Sequence, residues 1–206
     1  MSQTTMDADL RSIQQARDLA VGAREAMRSF QFASQQQVDK ICEAMVAAAV
    51  REAERLGQLA HDETGFGYAA HKRLKNEFAA QGVWDSIKDV PTCGVLRRDE
   101  VNKVVEIGWP VGVIVALTPS TNPTSTAIFK ILIGVKARNA VIVAPHPSAK
   151  NCTAEAVRVM AGAAEAAGLP KGMISCLTEL TIQGTNELMN HYATSMILAT
   201  GGPGMV

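Results

Sequence analysis

From Pro110 onward the chain repeats one unit: a short unbroken apolar run, a polar turn, then a stretch with helical spacing. Val111-Gly-Val-Ile-Val-Ala-Leu117 has no polar alternate, which is the pattern of a strand buried on both faces. A proline-containing turn leads from it into a predicted helix over about Pro123 to Lys136. Ala140-Val-Ile-Val-Ala144, Met173-Ile-Ser-Cys-Leu177 and Ser195-Met-Ile-Leu-Ala199 read as three further strands, separated by helices near Asn151 to Ala167 and Ile182 to Met189. This alternation leaves little choice of fold. Parallel strands are joined by right-handed crossovers, helices cover both faces, and ligands enter outside the carboxyl ends of the strands. The sequence thus predicts an α/β fold with a Rossmann-like parallel sheet. It directs attention to three turns: Thr118 to Asn122, Pro145 to Ser148 and Thr200 to Gly204.

The preceding residues have another character. Leu10, Ile13, Ala16, Ala20, Ala23, Met27 and Phe30 recur every three or four positions, as on an amphipathic helix that Asp7 or Asp9 is placed to cap. A second helix begins near Ser34 with Val38, Ile41, Met45 and Ala48 on one face. A third, Arg51 to Thr64, stops at Gly65, and a fourth covers roughly His71 to Ile87. Gly65-Phe-Gly-Tyr-Ala-Ala70 fits G-x-G-x-x-A, but it follows a helix where a phosphate-cradling turn requires a strand, so it reads as a helix stop. Between Thr92 and Gly108, apolar and polar residues alternate around Arg98-Asp99-Glu100, which predicts an antiparallel hairpin. Two strands alone are marginal in water, so this hairpin requires a cover, and a partner subunit would supply one. The chain divides on this reading into a helical region (1–91), a hairpin arm (92–109) and a Rossmann-like region (110–206).

Lys plus Arg and Asp plus Glu each number 20, and this balance argues against nucleic acid or an anionic membrane surface as a partner. No apolar stretch reaches the ~18 residues of a membrane span, and the polar start Met1-Ser-Gln-Thr-Thr5 has no leader character. Cys42, Cys93, Cys152 and Cys176 are widely separated, which points to a reduced, cytoplasmic protein. The histidines are scattered and predict no metal site.

The three turns carry the chemistry. Thr118-Pro-Ser-Thr-Asn-Pro-Thr-Ser-Thr126 places hydroxyls and an amide between a strand and its helix, where they serve equally as donors to an anion or oxyanion and as plain helix caps. Gly201-Gly202 permits close backbone approach to a pyrophosphate, as expected of a dinucleotide-binding turn. His146 sits just past a strand end between two prolines, a rigid turn by default. Cys152 opens a helix whose dipole would lower a thiol pKa, which makes it the one thiol with any claim to be a nucleophile; Cys42 and Cys176 fall on core patterns.

At these residues the chain resembles a known family. Thr92-Cys-Gly-Val-Leu96, Pro110-Val-Gly-Val-Ile114, Thr118 through Lys130, Pro145-His-Pro-Ser-Ala-Lys150 and Ile197-Leu-Ala-Thr-Gly-Gly-Pro-Gly-Met-Val206 are similar to the CoA-acylating aldehyde dehydrogenases, including the aldehyde dehydrogenase half of bifunctional aldehyde-alcohol dehydrogenase and the acetaldehyde and sulfoacetaldehyde enzymes. The resemblance implies an aldehyde dehydrogenase-type sheet. It also implies an NAD-dependent enzyme, NADP left open, that converts a small aldehyde and coenzyme A to an acyl-CoA through a cysteine thioester. Thr118, Pro119, Ser120, Pro145, His146, Pro147, Thr200, Gly201 and Gly202 are then the expected cofactor-binding residues. Oxyanion support falls to Thr121 or Asn122: Pro119-Ser-Thr-Asn-Pro123 stands where hydrolytic relatives have Pro-Trp-Asn-Phe-Pro, with Thr121 in register with that Asn. The hairpin matches a subunit-bridging arm, which implies a homo-oligomer. None of the four cysteines matches the family's nucleophile, so the chain is expected to be an amino-terminal portion that is inactive alone. A noncatalytic nucleotide-binding or interaction module, complete at this length, and a small enzyme using Cys152 are the alternative readings.

Overall fold

The computed structural model describes residues 7–202; the polar start Met1–Thr5 and the Pro203–Val206 end of the last motif lie outside the described residues. The helices are α1 (Ala8–Phe30), α2 (Gln35–Arg51), α3 (Ala53–Thr64), α4 (Ala69–Glu77) and α5 (Val83–Ile87). The hairpin strands β1 (Gly94–Asp99) and β2 (Val104–Gly108) follow, then β3 (Val113–Thr118), α6 (Pro123–Lys136), β4 (Ala140–Pro145), α7 (Lys150–Ala166), β5 (Ile174–Cys176), α8 (Ile182–Asn190) and β6 (Thr194–Ala199). The strand and helix alternation read from the sequence is therefore the observed order.

The sheet is parallel, with strand order β5-β4-β3-β6. Successive crossovers carry the chain from β3 to β4 to β5, and then α8 returns it to the far side of β3. The order thus reverses between β3 and β6, and a crevice opens there at the carboxyl ends. Helices α6 and α7 pack on one face of the sheet and α1 on the other with α8 against it, while α2 lies outside α6 and α7. Residues of α1 and α2, such as Ala20 and Met45, share one apolar core with Val115 and Ile142 of the sheet.

Several local details differ from expectation. Asp7 holds the N-cap position of α1, but its side chain makes no capping bond; Ser34, by contrast, forms a full capping box with Gln37 on α2. The single helix expected over 71–87 is broken by a π-helical turn, Phe78–Gly82, where the Phe78 ring lies so close to Gly82 that a Cβ there would meet it at 2.7 Å. Val101 to Lys103 belong to the hairpin turn rather than to β2. The Asp99 carboxylate accepts from the backbone N–H of Val101 and Asn102 and ends the ladder. Gly65 caps α3 in the left-handed conformation (φ 69°), so the G-x-G-x-x-A stretch is a helix stop.

Helix α1 is held on the sheet by polar contacts to the loop before α8. The Ser12 hydroxyl donates to the Glu179 carbonyl, and the Gln15 side-chain oxygen accepts from the N–H of Thr178 and Glu179. Gly184 of α8 abuts Ser12 so closely that a Cβ would lie 1.8 Å from its hydroxyl oxygen and 2.9 Å from its backbone carbon. Gly184→Ala gains roughly 1 kcal/mol of helix propensity but incurs about 1–3 kcal/mol of overpacking against a backbone that cannot step aside. Urea unfolding of the variant is therefore expected to show a net loss of up to about 2 kcal/mol; a gain would mean that α1 and α8 separate freely.

Candidate functional site

The crevice is fastened by one side chain. Lys130 of α6 is fully buried, and its Nζ donates to the carbonyls of Leu117 in β3 and Leu198 in β6, each at 2.6 Å. Both carbonyls lie one residue before the strand ends from which the turns depart. Burial pushes the Lys130 pKa down from 10.5 to about 8. A group with that pKa is about nine-tenths charged at pH 7, so a cation sits beneath the point where β3 and β6 part.

Above it lie two adjoining clefts. The larger, ≈740 Å³, is lined by Thr118, Pro145, His146 and Pro147 from the strand ends and by Thr181, Thr185 and Asn186 from the start of α8. The smaller, ≈420 Å³, takes Pro119, Ser120, Thr121 and Asn122 from one turn and Thr200, Gly201 and Gly202 from the other. His146 lines both. Thr118 to Asn122, Pro145 to Pro147 and Thr200 to Gly202 thus line two clefts that share His146, while Ser148 lines neither and Pro203 and Gly204 lie outside the described residues. Thr118 is 1% exposed and its Oγ1 has no hydrogen-bond partner, although it borders the larger cleft. A buried hydroxyl is rarely left so.

Capping does not occupy the turn's side chains as one of the sequence readings supposed. Asn122 holds the N-cap position of α6 without a side-chain capping bond. Its Oδ1 instead accepts from Lys75 Nζ at 2.8 Å, and the carbonyl of Thr121 accepts from Lys72 Nζ at 2.8 Å. The Lys72 pKa is lowered by burial and by Lys75 beside it. With its oxygen engaged, the Asn122 amide has only its NH₂ to offer, whereas the Thr121 side chain is exposed. Asn122 also borders an apolar groove of ≈550 Å³ formed by Leu74, Phe78, Val83 and Phe129. Neither lysine on α4 was legible as a site residue; Lys130 had one signal, a single charge inside an apolar run from Ala127 to Val135.

Cys152 is not the activated thiol that its place at a helix start suggested. It is buried, and its pKa is pushed up to about 12 by burial and by Glu63. The Glu63 carboxylate takes the first free N–H groups of α7, from Asn151 at 2.8 Å and Cys152 at 2.6 Å. Those bonds outweigh burial and lower the Glu63 pKa, so a negative charge stands beside the sulfur. Burial also pushes Cys42 and Cys176 up to about 12. Among the described residues no group of three or more His, Cys, Asp or Glu is placed to hold a metal.

Two measurements follow from these shifts. Cys152 is expected to resist iodoacetamide in the native chain at about pH 8, since a thiol with a pKa of about 12 is a thiolate roughly one part in ten thousand there; rapid labelling, located by mass spectrometry, would contradict this environment. For Lys130 the folded pKa lies below the unfolded value, so the unfolded state binds more protons as pH rises from about 8 to 10.5 and this group's contribution to stability increases. Lys130→Met should lack that increase, and at pH 7 it should lose on the order of 1–3 kcal/mol because two buried carbonyls lose their donor. The thiol titrations are common to both proteins and cancel in the difference.

Comparison with known proteins agrees with this geometry. The profile of the aldehyde dehydrogenase family matches residues 2–205. The chain is 44% identical over 183 residues to the bifunctional aldehyde-alcohol dehydrogenase AdhE of Escherichia coli (strain K12), covering 89% of this chain and 20% of that protein. It superposes on an acetylating aldehyde dehydrogenase from Geobacillus thermoglucosidasius with a TM-score of 0.94 and 56% identity, covering 96% of this chain and 44% of that one. For a probable aldehyde dehydrogenase from Listeria monocytogenes EGD-e the TM-score is 0.96 and the identity 49%, covering 98% of this chain and 44% of the other. The chain therefore spans less than half the length of each of these relatives. Sheet order, cleft and sequence converge: the chain belongs to the aldehyde dehydrogenase family.

Proposed function

We propose that this chain supplies the dinucleotide-binding cleft of a CoA-acylating aldehyde dehydrogenase, in which a small aldehyde and coenzyme A give an acyl-CoA. The observation that carries the reading is the convergence of three turns on a crevice at the reversal of strand order, with the unpartnered Thr118 hydroxyl at its edge. The residues present fit a nicotinamide dinucleotide. Gly202 leaves open space where a Cβ would stand, and the two clefts share His146 as a lining residue. Such a cofactor, NAD by preference, accepts a hydride from the substrate carbon.

The chain's own residues bind and orient. Thr118, Pro119, Ser120, Pro145, His146, Pro147, Thr200, Gly201 and Gly202 hold the dinucleotide. The Asn122 amide, its oxygen tied to Lys75, donates to the developing oxyanion, with Thr121 the alternative donor. The reacting thiol comes from the part of the relatives' length that this chain does not span: Cys42, Cys152 and Cys176 are held as neutral thiols, and Cys93 lies at the base of the hairpin and lines neither cleft. On this reading, residues 1–91 are a helical scaffold, 92–109 an oligomerisation arm and 110–206 the nucleotide-binding region, in a cytoplasmic homo-oligomer.

Calorimetric titration of the chain with NAD is expected to show saturable binding. Thr118→Val, close in shape, should weaken that binding about tenfold by removing one buried hydrogen-bonding group. Absence of binding by the unaltered chain would refute the proposal, as would aldehyde oxidation by residues 1–206 alone, since that would place the thiol within them. The arm is tested separately. Ile107 on β2 is 59% exposed beside Val95 and Val105, and Ile107→Asp should lower the mass seen by light scattering without changing the circular dichroism.

A further inference from the structure

We propose that Cys42 and Cys93 form a redox-sensitive thiol pair at the root of the hairpin, closing to an intrachain disulfide on exchange with a small disulfide and reopening on reduction. Cys42 belongs to α2 and Cys93 to the bend before β1, and both pack on the main apolar core. The fold brings them to one place through Gln35. Its side-chain oxygen accepts from the backbone N–H of Thr92 at 2.8 Å and of Cys93 at 3.2 Å, so the root of the hairpin is seated on the first turn of α2. Gln35, Asp39 and Cys42 stand at i, i+4 and i+7 and share one face of that helix. Lys136 completes the cluster: its Nζ donates to Asp39 at 2.6 Å, and its carbonyl accepts from the Thr92 hydroxyl at 2.6 Å. The two thiols are near enough to act on one another electrostatically.

The two thiols differ in access, which orders the steps. Cys93 is half-buried and lines a cleft of ≈370 Å³ with Phe32, Ile107, Trp109 and Arg138, whereas Cys42 is fully buried. A small disulfide RSSR therefore meets Cys93 first. The Cys93 thiolate attacks one of its sulfurs, giving Cys93–S–S–R and releasing RS⁻. The Cys42 thiolate then attacks the Cys93 sulfur, forming the Cys42–Cys93 bond and releasing the second RS⁻. Two protein thiols lose two electrons and two protons, and RSSR becomes two RSH. The second step is gated by protonation. Burial, opposed by the Lys136 cation and aided by Asp39, Cys93 and Glu43, pushes the Cys42 pKa up to about 12, so the thiol is protonated at neutral pH and the pair rests open. Below that value each unit of pH raises the thiolate fraction about tenfold. The cleft beside the Cys93 bend leaves room for the approach that a disulfide requires. Once made, the bond replaces the hydrogen-bonded seat of the hairpin on α2 with a covalent one.

The folded chain, with its four free cysteines, is incubated with glutathione disulfide from about pH 7 to 9, quenched with acid, digested without reduction and mapped by mass spectrometry. The expected product is a peptide linked through Cys42 and Cys93 that dithiothreitol separates. Conversion of the Cys93–glutathione adduct to this product should quicken about tenfold per pH unit, following the Cys42 thiolate. Cys42→Ala should stop at the adduct, and Cys93→Ala should give neither product. The linked peptide is read in the unaltered chain, so the test stands even where a variant fails to fold. An adduct on Cys93 that persists without closing would overturn the pairing and leave a single modifiable thiol. A bond between two chains through Cys93, equal linkage to Cys152 or Cys176, a link formed only in urea, or no reaction of the folded chain would each overturn it as well.

Discussion

The site depends on one buried amine. At the carboxyl ends of paired strands the last carbonyls approach the limit of the ladder, and a buried, unpaired carbonyl is costly. Lys130 supplies donors to two of them at once, on Leu117 and Leu198, and so fixes the spacing of β3 and β6 where the turns leave. No carboxylate joins it in those bonds. The lysine bears the cost of burial in its lowered pKa, and what it returns is geometry.

The helical region does more than cover the sheet. Lys72 and Lys75 reach from one face of α4 to the Thr121 carbonyl and the Asn122 amide, so the turn after β3 is held from outside its own βα unit. Lys136, at the far end of α6, reaches back to Asp39 of α2 and the carbonyl of Lys88. Arg138, with a positive φ of 62°, binds the carbonyls of Gln31 and Gly108 and anchors the base of the hairpin. Long cationic side chains ending on backbone oxygens recur at each junction. Of these, Lys136 also pairs with a carboxylate, that of Asp39, while Lys72, Lys130 and Arg138 join distant segments through carbonyl oxygens.

Much of this was legible beforehand, for specific reasons. Pro123 to Lys136 matched α6 at both ends, because proline marks a first helical turn and an apolar stretch rarely ends without a polar residue. The apolar runs became β3, β4, β5 and β6; β3 and β4 are buried on both faces as an unbroken apolar run requires, whereas β6, at the sheet edge, exposes Met196 and Ile197. The three turns were found for the same reason: a strand end is visible even when its neighbours in space are not. The acidic neighbour that suppresses the Cys152 thiol was not legible, because Glu63 lies in another helix. Lys72 and Lys75 look like any solvated pair three residues apart.

The sequence by itself determined the order of strands and helices and the positions of the turns between them. These follow from local periodicity, proline and glycine, which act within a few residues of chain. Tertiary structure alone decided that β6 returns to the far side of β3, that three separated turns line two clefts meeting at His146, and that a lysine in an apolar helix faces two carbonyls instead of solvent. Each of those outcomes rests on contacts between segments far apart in the chain, and such contacts are set by packing of the whole core.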